Sequence, residues 1–450
     1  MNLPPKPRSR SDRVSLWQYA RLFRRDILSA QPERLYRAKM AEFRTPFFRS
    51  FMINQPDLIA EVLKHRPQDF PKSERVSAGL RPLLGNSVFL SNGETREHQR
   101  RIIDPAFEGG RLRRVFPAMI KAADAMAHRL DAASDPWIEI EAETSHVAAD
   151  VMFRALFSIP IEEKIANAVF QAFRSFQRSQ PLLNIAAFVP RARLLSQLFR
   201  RDTKTSAGQI RFLLKTLIRQ RRAALAAGTA PDDLDTKKMT TVDPQTGNTF
   251  DDAETIDQIA IFFLAGHETS ASALAWAFYL LATHPVWQDR LSAEAWSLDE
   301  DDFGSVAKLK ISRDVFRETL RLYPPVPMMV RQARCPETFR NRRVQRGAQV
   351  VISPWHLHRN PRLWQDVDAF DPGRWQSSDA TAGPKDAYLP FSLGPRVCPG
   401  AGFAMIEGPL ILSRILREYR VTADPNRVPV PIAHLTVRSD TGIWLNVTRR

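Results

Sequence analysis

The sequence is poor in cysteine, since its 450 residues include only Cys335 and Cys398. Two cysteines cannot build the bridges that stabilise small secreted domains, which excludes a disulfide-rich fold. The first twenty residues, MNLPPKPRSRSDRVSLWQYA, also lack the apolar core of a signal peptide. We therefore expect a soluble protein in a reducing cytoplasm.

An uninterrupted apolar run long enough to span a membrane is also missing. The longest candidate, IAIFFLAGHETSASALAWAFYLLA, is broken by His267 and Glu268. Charged or titratable groups at the centre of a membrane span are costly, so this stretch is typical of a buried core helix. We expect no transmembrane anchor.

Acidic residues are outnumbered, with 49 Asp and Glu against 65 Lys and Arg, for a net charge of +16. Such a surface can serve nucleic acid, but the sequence has no zinc-finger spacing, no RNP-type aromatic motif and no basic helix leading into heptads. We expect no nucleic-acid binding. The charge instead favours an acidic protein or substrate as partner.

No Gly/Ser linker, low-complexity tract or repeat divides the chain, which predicts a single domain over residues 1–450. Helical periodicity dominates, and strand patterns are short: RSFMIN, SVFLS, AQVVISP and HLTVRSDTGIWLNV. The fold class is therefore mainly α with small β-sheets. A helix from Thr255 to His284 would be about 45 Å long and would cross the core.

The stretch FSLGPRVCPG places Cys398 in a loop rich in Gly and Pro. A lone thiolate cannot complete a zinc site, which needs four ligands. Haem iron needs only one axial thiolate, because the porphyrin supplies four nitrogens. Gly394 and Gly400 would let the backbone approach a flat ring, and Arg396 could pair with a haem propionate.

Phe391, Gly394, Arg396, Cys398 and Gly400 match F-x-x-G-x-R-x-C-x-G. This pattern resembles the haem-binding signature of the cytochrome P450 superfamily. The resemblance implies an α-rich triangular prism with a long central helix crossing over haem b, whose iron Cys398 would ligate. It extends over the body, residues 86–450, whereas residues 1–85 match only loosely.

The central helix carries AGHET, which resembles the oxygen-activating groove of this family. The resemblance implies that Ala265 and Gly266 form the groove and that Glu268 and Thr269 deliver protons. The alternative for Thr269 is a hydroxyl bonded back to the preceding helical turn. For His267 we favour packing over a role as an iron ligand.

Two further segments resemble structural motifs of the family. ETLR supplies Glu318 and Arg321, and FDPGRW supplies Arg374, which implies a buried triad behind the haem loop. One feature departs from an ordinary helix: Gly408-Pro409, in the helix after the cysteine, is expected to kink it or leave a carbonyl unpaired.

The resemblance also implies propionate partners besides Arg396. Arg331 in VPMMVRQA stands at one such position, and Arg100 in GETREHQRRIIDPAF stands at the arginine of a W-x-x-x-R pattern. The tryptophan of that pattern is replaced by Arg96, with His98 close by. We include all four among the expected cofactor-binding residues.

The implied activity is that of a haem-thiolate monooxygenase that inserts one atom of O2 into its substrate. No flavin domain, iron-sulfur cysteine set or G-x-G-x-x-G loop is present, so no reductase is fused. The protein is expected to be a monomer that receives electrons from NAD(P)H through a reductase and a ferredoxin or flavodoxin. The electron carrier would dock at Arg101, Arg113 or Arg414. The alternatives are an H2O2-driven peroxygenase of the same fold and a non-catalytic haem-binding helper protein.

The substrate is expected to be apolar. The family's pocket would be roofed by residues 73–91 and 169–190, which are mostly aliphatic and aromatic, and lined by Val326, Met328, Met329 and Val330. ETLRLYPPVP resembles the fatty-acid and xenobiotic branch, which favours a fatty acid, alkane or terpenoid. Arg75 or Arg81 could anchor a substrate carboxylate, and Cys335 is assigned no role.

Overall fold

The computed structural model describes residues 3–44, 49–179, 193–297, 302–376 and 385–450. Helices dominate these ranges, which confirms the mainly α prediction. A turn of π-helix, Glu61–His65, continues the second helix. The helices are α1 Leu16–Arg25, α2 Pro56–Ala60, α3 Glu74–Leu84, α4 Gly93–Ile103, α5 Gly109–Asp131, α6 Ile140–Phe157, α7 Lys164–Ser179, α8 Arg193–Ala226, α9 Leu234–Thr240, α10 Asp252–Thr283, α11 Pro285–Trp296, α12 Lys310–Leu322, α13 Pro354–Leu357 and α14 Ala401–Glu418.

Four small sheets accompany the helices in the described ranges. A mixed sheet has the order β1-β2-β7-β4, with β2 and β7 parallel, and an antiparallel sheet has the order β3-β11-β8. Two hairpins, β5-β6 and β9-β10, complete the set. The strands are β1 Met40–Arg44, β2 Arg49–Ile53, β3 Trp137–Glu139, β4 Met329–Gln332, β5 Glu337–Phe339, β6 Arg342–Val344, β7 Gln349–Ile352, β8 Tyr419–Ala423, β9 Pro431–Ala433, β10 Val437–Ser439 and β11 Trp444–Arg449.

The strand predictions are confirmed for RSFMIN, AQVVISP and the C-terminal stretch, but the prediction for SVFLS is wrong. Residues 87–91 form turns rather than a strand. The N–H of Val88 donates to the side chain of Gln258 at 3.0 Å, and the N–H of Ser91 to the carbonyl of Ser87 at 2.9 Å. These local and side-chain partners satisfy the backbone without a neighbouring strand.

Helix α10 begins at a capping box and runs through the main core. The side chain of Asp251 accepts from the N–H of Glu254 at 2.7 Å, and the carboxylate of Glu254 accepts from the N–H of Asp251 at 3.1 Å. Two of the unpaired amides at the helix start are thereby satisfied. The helix ends before Pro285, and most of its residues are buried against α6, α8, α12 and α14.

A buried polar contact joins α10 to α14. The hydroxyl of Ser270 donates to Oε2 of Glu407 at 2.5 Å, while Oε1 of Glu407 has no hydrogen-bond partner among the described residues. Burial raises the pKa of Glu407 to about 8. Helix α14 continues through Gly408-Pro409, and a side chain at Gly408 would contact the ring of Phe316.

We predict that Glu407 makes the protein less stable as pH rises. Its carboxyl stays protonated in the folded protein to about pH 8, whereas in the unfolded chain it ionises near its ordinary pKa. The folded state thus binds the extra proton between these two pKa values, and the free energy of unfolding falls by up to about 1.4 kcal/mol per pH unit there. In Glu407→Gln the melting temperature should fall less from about pH 5 to about pH 8.

The control for this prediction is Glu94→Gln, because Glu94 is exposed at the start of α4. Its pH profile should follow that of the unmodified protein. Parallel profiles for all three proteins would contradict the assignment of a protonated carboxyl to Glu407.

Candidate active site

The loop that carries Cys398 is fixed by its own backbone hydrogen bonds. The N–H of Cys398 donates to the carbonyl of Phe391 at 2.9 Å, and the N–H of Val397 to the carbonyl of Gly394 at 2.9 Å. Cys398 is exposed and lies just ahead of α14. Desolvation by the surrounding protein raises the pKa of the thiol, and the N–H of Gly400 opposes this rise by bonding to the sulfur.

The absence of a side chain has different structural consequences at the two loop glycines. Gly394 has a φ of +69°, and a side chain there would collide with the backbone carbonyl of Leu63. Its absent side chain therefore allows the loop to pack against the segment after α2. At Gly400, an added Cβ would lie 3.9 Å from the sulfur of Cys398 and 4.0 Å from the ring of Phe107. This glycine is the one that keeps space beside the thiol.

The middle of α10 is open where the rest of the helix is buried. Ala265 is exposed, and Gly266 and Thr269 are half-buried. The hydroxyl of Thr269 donates to the carbonyl of Ala265 at 2.5 Å, which is the back-bonded state. A side chain at Gly266 would contact the thioether of Met152, so this glycine also makes room for α6.

Glu268 and His267 point away from this open stretch. The carboxylate of Glu268 accepts from Thr436 at 2.6 Å, from Arg438 at 2.8 Å and from Gln177 at 3.0 Å. On a helix, adjacent residues point about 100° apart, so Glu268 and Thr269 face different surroundings, and their expected role in proton delivery stays a prediction. The acid belongs to a separate polar pocket.

This polar pocket lies along one side of α10 and has a volume of about 160 Å³. His267 is buried on its wall, and its Nε2 is 2.8 Å from the hydroxyl of Ser145. Burial lowers the pKa of His267 to about 3, so the imidazole is neutral at ordinary pH. Burial raises the pKa of Glu141, also on the wall, to about 7. The wall is thus polar and titratable.

The predicted triad is brought together and is buried. The carboxylate of Glu318 accepts two hydrogen bonds from Arg321, at 2.8 and 3.0 Å, and one from Arg374 at 3.0 Å. It also accepts from the indole of Trp375 and the N–H of Asp371, each at 3.1 Å. Such a charge is tolerated in the interior because its lone pairs are satisfied.

Arg321 connects the triad to the cysteine loop through His358. Its guanidinium donates to the carbonyls of His358, Val367 and Ala369 at 2.7–2.9 Å. The carbonyl of Arg321 is 3.1 Å from Nδ1 of His358, and Nε2 accepts from the N–H of Leu389 at 2.9 Å. These partners require a neutral ring protonated on Nδ1. Leu389 leads directly into the loop at Phe391.

Four cations converge on the other side of the loop. Lys72, Arg96, Arg331 and Arg396 are half-buried or buried, and burial lowers the pKa of each. The pKa of Arg331 falls to about 10 and that of Arg396 to about 9. The charge of Arg96 contributes to both shifts, as the charge of Arg331 does to that of Arg396.

Side chains and backbone hold this cationic cluster in place. Asn92 accepts from Arg396 at 2.5 Å and from the N–H of Lys72 at 2.9 Å, and Arg96 donates to the carbonyl of Pro395. Within the described ranges, no carboxylate lies at ion-pair distance from any of the four cations. Like charges gathered without a counterion favour binding of an anion.

Two of the expected propionate partners have carboxylate partners of their own. Arg100 pairs with Asp104 at 2.8 Å and donates to the carbonyl of Val397 at 2.8 Å. Nδ1 of His98 is 2.6 Å from the carboxylate of Asp243, which also pairs with Arg101. His98 is therefore engaged with Asp243.

The donors fit haem. Haem offers two anionic propionates and an iron that takes one axial thiolate. The cationic cluster has positive charge without a carboxylate, and Cys398 presents an exposed sulfur at the start of a helix. Next to Gly400 of the loop, the ring of Phe107 is tilted against that of Phe262 of α10, with ring centroids 5.4 Å apart.

The expected pocket residues divide between the two sides of β4. Val326, Met328, Met329 and Val330 are all half-buried. Met328 packs against the main core, whereas Met329 packs against the smaller core of the mixed sheet. Since neighbouring side chains of a strand face opposite sides, Val330 shares the side of Met328. Of the two roof segments, residues 180–190 lie outside the described part of the chain.

The arginines expected at interfaces have varied surroundings. Arg101 pairs with Asp243, and Arg414 pairs with Asp124 at 2.7 Å. Arg113 is exposed and lies over the ring of Phe303. The two arginines expected at the substrate are a half-buried Arg75 and an exposed Arg81, which lies 3.5 Å from Glu74.

The helical fold and the thiol opposite a long helix define a haem-thiolate protein. A family model described as Cytochrome P450 matches residues 36–445, and the chain therefore belongs to the cytochrome P450 family of monooxygenases. Membership implies a haem cofactor and an external supply of electrons. The match begins within residues 1–85, where the motifs gave little signal.

Relatives and a solved structure agree with this assignment. The chain is 32% identical to cyclooctat-9-en-7-ol 5-monooxygenase of Streptomyces melanosporofaciens, over 86% of this chain and 83% of the relative. It is 28% identical to cytokinin hydroxylase of Arabidopsis thaliana, over 87% and 77%. It superposes on the crystal structure of the cytochrome P450DA heme domain with a TM-score of 0.84, at 23% identity, over 100% and 98%. The superposition on the solved structure shows that the two chains share a fold.

Sequence reasoning missed Lys72 and His358. Lys72 lies in a loop, and only the pairing of its backbone with Arg331 brings it to the cluster. His358 stands among similar residues in WHLHRN, and its bonds to Arg321 and Leu389 join positions 37 and 31 residues away. No local pattern marks either contact.

We predict that His358 positions the cysteine loop. His358→Phe removes both hydrogen bonds, so the loop should relax and a larger fraction of the reduced CO complex should absorb at about 420 nm instead of about 450 nm. His358→Gln offers an amide oxygen to Leu389 and should retain more of the 450 nm form. The measurement is the reduced, CO-bound difference spectrum.

The matched control is His356→Gln. His356 is buried nearby but bonds to Ser353 rather than to the loop. Its variant should keep the spectrum of the unmodified enzyme. Equal spectra for His358→Phe and the control would remove the positioning role.

We predict that Arg96 holds haem more strongly than Arg100 does. Arg96 belongs to the cationic cluster, while Arg100 is neutralised by Asp104. A charged hydrogen bond contributes about 1.5–3 kcal/mol, so Arg96→Leu should speed haem loss by roughly tenfold or more. The rate of haem transfer to an excess of apomyoglobin measures this. A comparable acceleration in Arg100→Leu would contradict the placement.

Proposed function

We propose that this cytochrome P450 hydroxylates an apolar small molecule, such as a fatty acid, an alkane or a terpenoid. It would insert one atom of O2 and take its electrons from NAD(P)H through a separate reductase and a ferredoxin or flavodoxin. The 450 residues would act as one haem b domain. The observation that carries the proposal is an exposed Cys398 beside four cations that lack a carboxylate partner.

The residues that would hold haem b follow from this arrangement. Cys398 would supply the thiolate ligand of the iron, and Lys72, Arg96, Arg331 and Arg396 would surround the propionates. The bound haem would supply activation of O2, promoted by the thiolate. The buried triad and His358 would keep the cysteine loop in place, which is a structural role.

Protons would enter through the polar pocket. A pocket of about 160 Å³ with polar walls has room for several waters. Glu141, with a pKa of about 7, can exchange protons with solvent near neutral pH, and Glu268 is on the same wall. Thr269 donates to Ala265 and keeps its lone pairs available, so its hydroxyl can accept a hydrogen bond on the open side of α10.

Two observations support an apolar substrate. Val326, Met328 and Val330 are half-buried, apolar and adjacent in sequence to the cationic Arg331. One relative is named for a reaction on cyclooctat-9-en-7-ol, and another is named a hydroxylase. Apolar walls with few polar groups favour substrates that lose little hydration on binding.

An acidic electron carrier suits the charge of the protein. The net charge is +16, and Arg100 lies beside the cysteine loop through its bond to Val397. Arg113 is the exposed candidate, since Arg101 and Arg414 already pair with carboxylates. Association should weaken with added salt, as electrostatic steering does.

The peroxygenase and the helper protein are less well supported. A peroxygenase would not need the internal acid Glu268 together with Thr269. A non-catalytic helper would be expected to lose that pair while keeping Cys398.

The test is oxygen insertion by the haem-loaded enzyme. With a ferredoxin, its reductase, NADPH and ¹⁸O2, we expect a hydroxylated fatty acid, alkane or terpenoid that carries one ¹⁸O atom. Glu268→Gln should reduce product per NADPH consumed by about tenfold or more, because proton delivery then limits the reaction. Its CO complex should still absorb at about 450 nm.

The control is Glu254→Gln, which changes a carboxylate of the same helix at its capping box. It should leave product per NADPH unchanged. Turnover with H2O2 alone, and none with the electron carriers, would replace the monooxygenase by a peroxygenase. Haem binding without either activity would leave a helper protein.

A further inference from the structure

The first 25 residues carry an unusual share of the positive charge. They contain Lys6 and six arginines against one acid, Asp12, for a net charge of +6. Within them lies α1, Leu16–Arg25, whose first turn is capped by Ser15. None of its ten residues is buried. Six of the ten residues are exposed and four are half-buried, so one side of the helix has surface available for another partner.

The two sides of α1 differ. Phe23 packs against the main core, and the half-buried Tyr19 and Leu22 lie on the same side of the helix. At about 100° per residue, Trp17, Arg21 and Arg24 share the outer side. Trp17 is 79% exposed, the largest value among the exposed large apolar side chains of the described residues.

The arginines of α1 differ in their surroundings within the described part of the chain. Arg25, at the end of α1, lies 3.6 Å from Asp440. Among the described residues, no carboxylate is at ion-pair distance from Arg21 or Arg24. The outer side therefore combines free positive charge with exposed apolar area.

The position of α1 argues against a role in electron delivery. The N–H of Ile27 donates to Ala433 at 3.0 Å, which ties the end of α1 to the β9-β10 hairpin. The same hairpin supplies Arg438 to Glu268, and its Val437 carbonyl accepts from Ser272 of α10. Helix α1 is thus attached on the α10 side. An electron carrier is needed at Cys398 instead.

We propose that α1 docks the protein on a bilayer surface that contains anionic lipid. Arg21 and Arg24 would contact lipid phosphates, and Trp17 would lie at the level of the headgroups, where amphipathic aromatic rings are favoured. A ten-residue helix is about 15 Å long, half of the apolar thickness of a bilayer, so it lies on the surface. None of the described helices could span a membrane.

A vesicle-binding experiment with the full-length, haem-loaded protein tests this proposal. We expect it to sediment with vesicles of phosphatidylcholine and phosphatidylglycerol, to be released by high salt, and to bind phosphatidylcholine alone much less. Arg21→Glu with Arg24→Glu should abolish binding, and Trp17→Ser should weaken it several-fold. The CO difference spectrum should be unchanged in these variants.

The matched controls alter similar side chains elsewhere. Trp296 is 55% exposed beside Arg417, and Arg343 and Arg346 are exposed on and after β6. Trp296→Ser, and Arg343→Glu with Arg346→Glu, should leave vesicle binding intact. Equal losses in the controls, or no sedimentation of the unmodified protein, would overturn the proposal.

One outcome would show that α1 binds an acidic protein instead of a bilayer. If the α1 variants bind vesicles normally but lose affinity for an acidic ferredoxin, α1 serves a protein and the bilayer proposal is wrong. The readout does not require turnover, so it stands or fails independently of the proposed hydroxylation.

Discussion

The buried carboxylate of Glu318 is the constraint on which the thiol site depends. An isolated charge in the interior is costly, and this one is retained because Arg321, Arg374, Trp375 and a backbone amide all donate to it. Arg321 in turn holds the backbone on either side of the triad. Its carbonyl orients His358, whose far nitrogen accepts from the segment that enters the cysteine loop. The loop that carries Cys398 is thereby held in place by the hydrogen-bonded carboxylate of Glu318.

Helix α10 separates two environments that the sequence places side by side. Its open side has Ala265, Gly266 and Thr269, and its other side has His267 and Glu268 on a polar wall. A helical rotation of about 100° per residue is enough to place the side chains of adjacent residues in different surroundings. An acid can therefore lie within one turn of the open side of α10 without facing it.

The features that could be predicted from the sequence are those encoded in short, contiguous stretches of it. The cysteine loop, the E-x-x-R pair and the long central helix are recognisable in short stretches, and the structure brings Glu318, Arg321 and Arg374 together. Contacts between distant segments were out of reach: Lys72 joins Arg331 through a backbone bridge. The choice between alternative hydrogen-bond partners could not be predicted from the sequence either. His98 lies near Arg96 in the sequence but bonds to Asp243.

The parallel pairing of β2 with β7 sets an order of events during synthesis. Ser50 pairs with Gln349, so about 300 residues must be added before the mixed sheet can close. At about 5–20 residues per second, the hairpin of β1 and β2 waits roughly 15–60 s with an edge unpaired. An open edge invites pairing with other chains. Arg34, Arg37, Arg44 and Arg49 lie in or near this hairpin, and charged side chains along an open edge oppose such pairing.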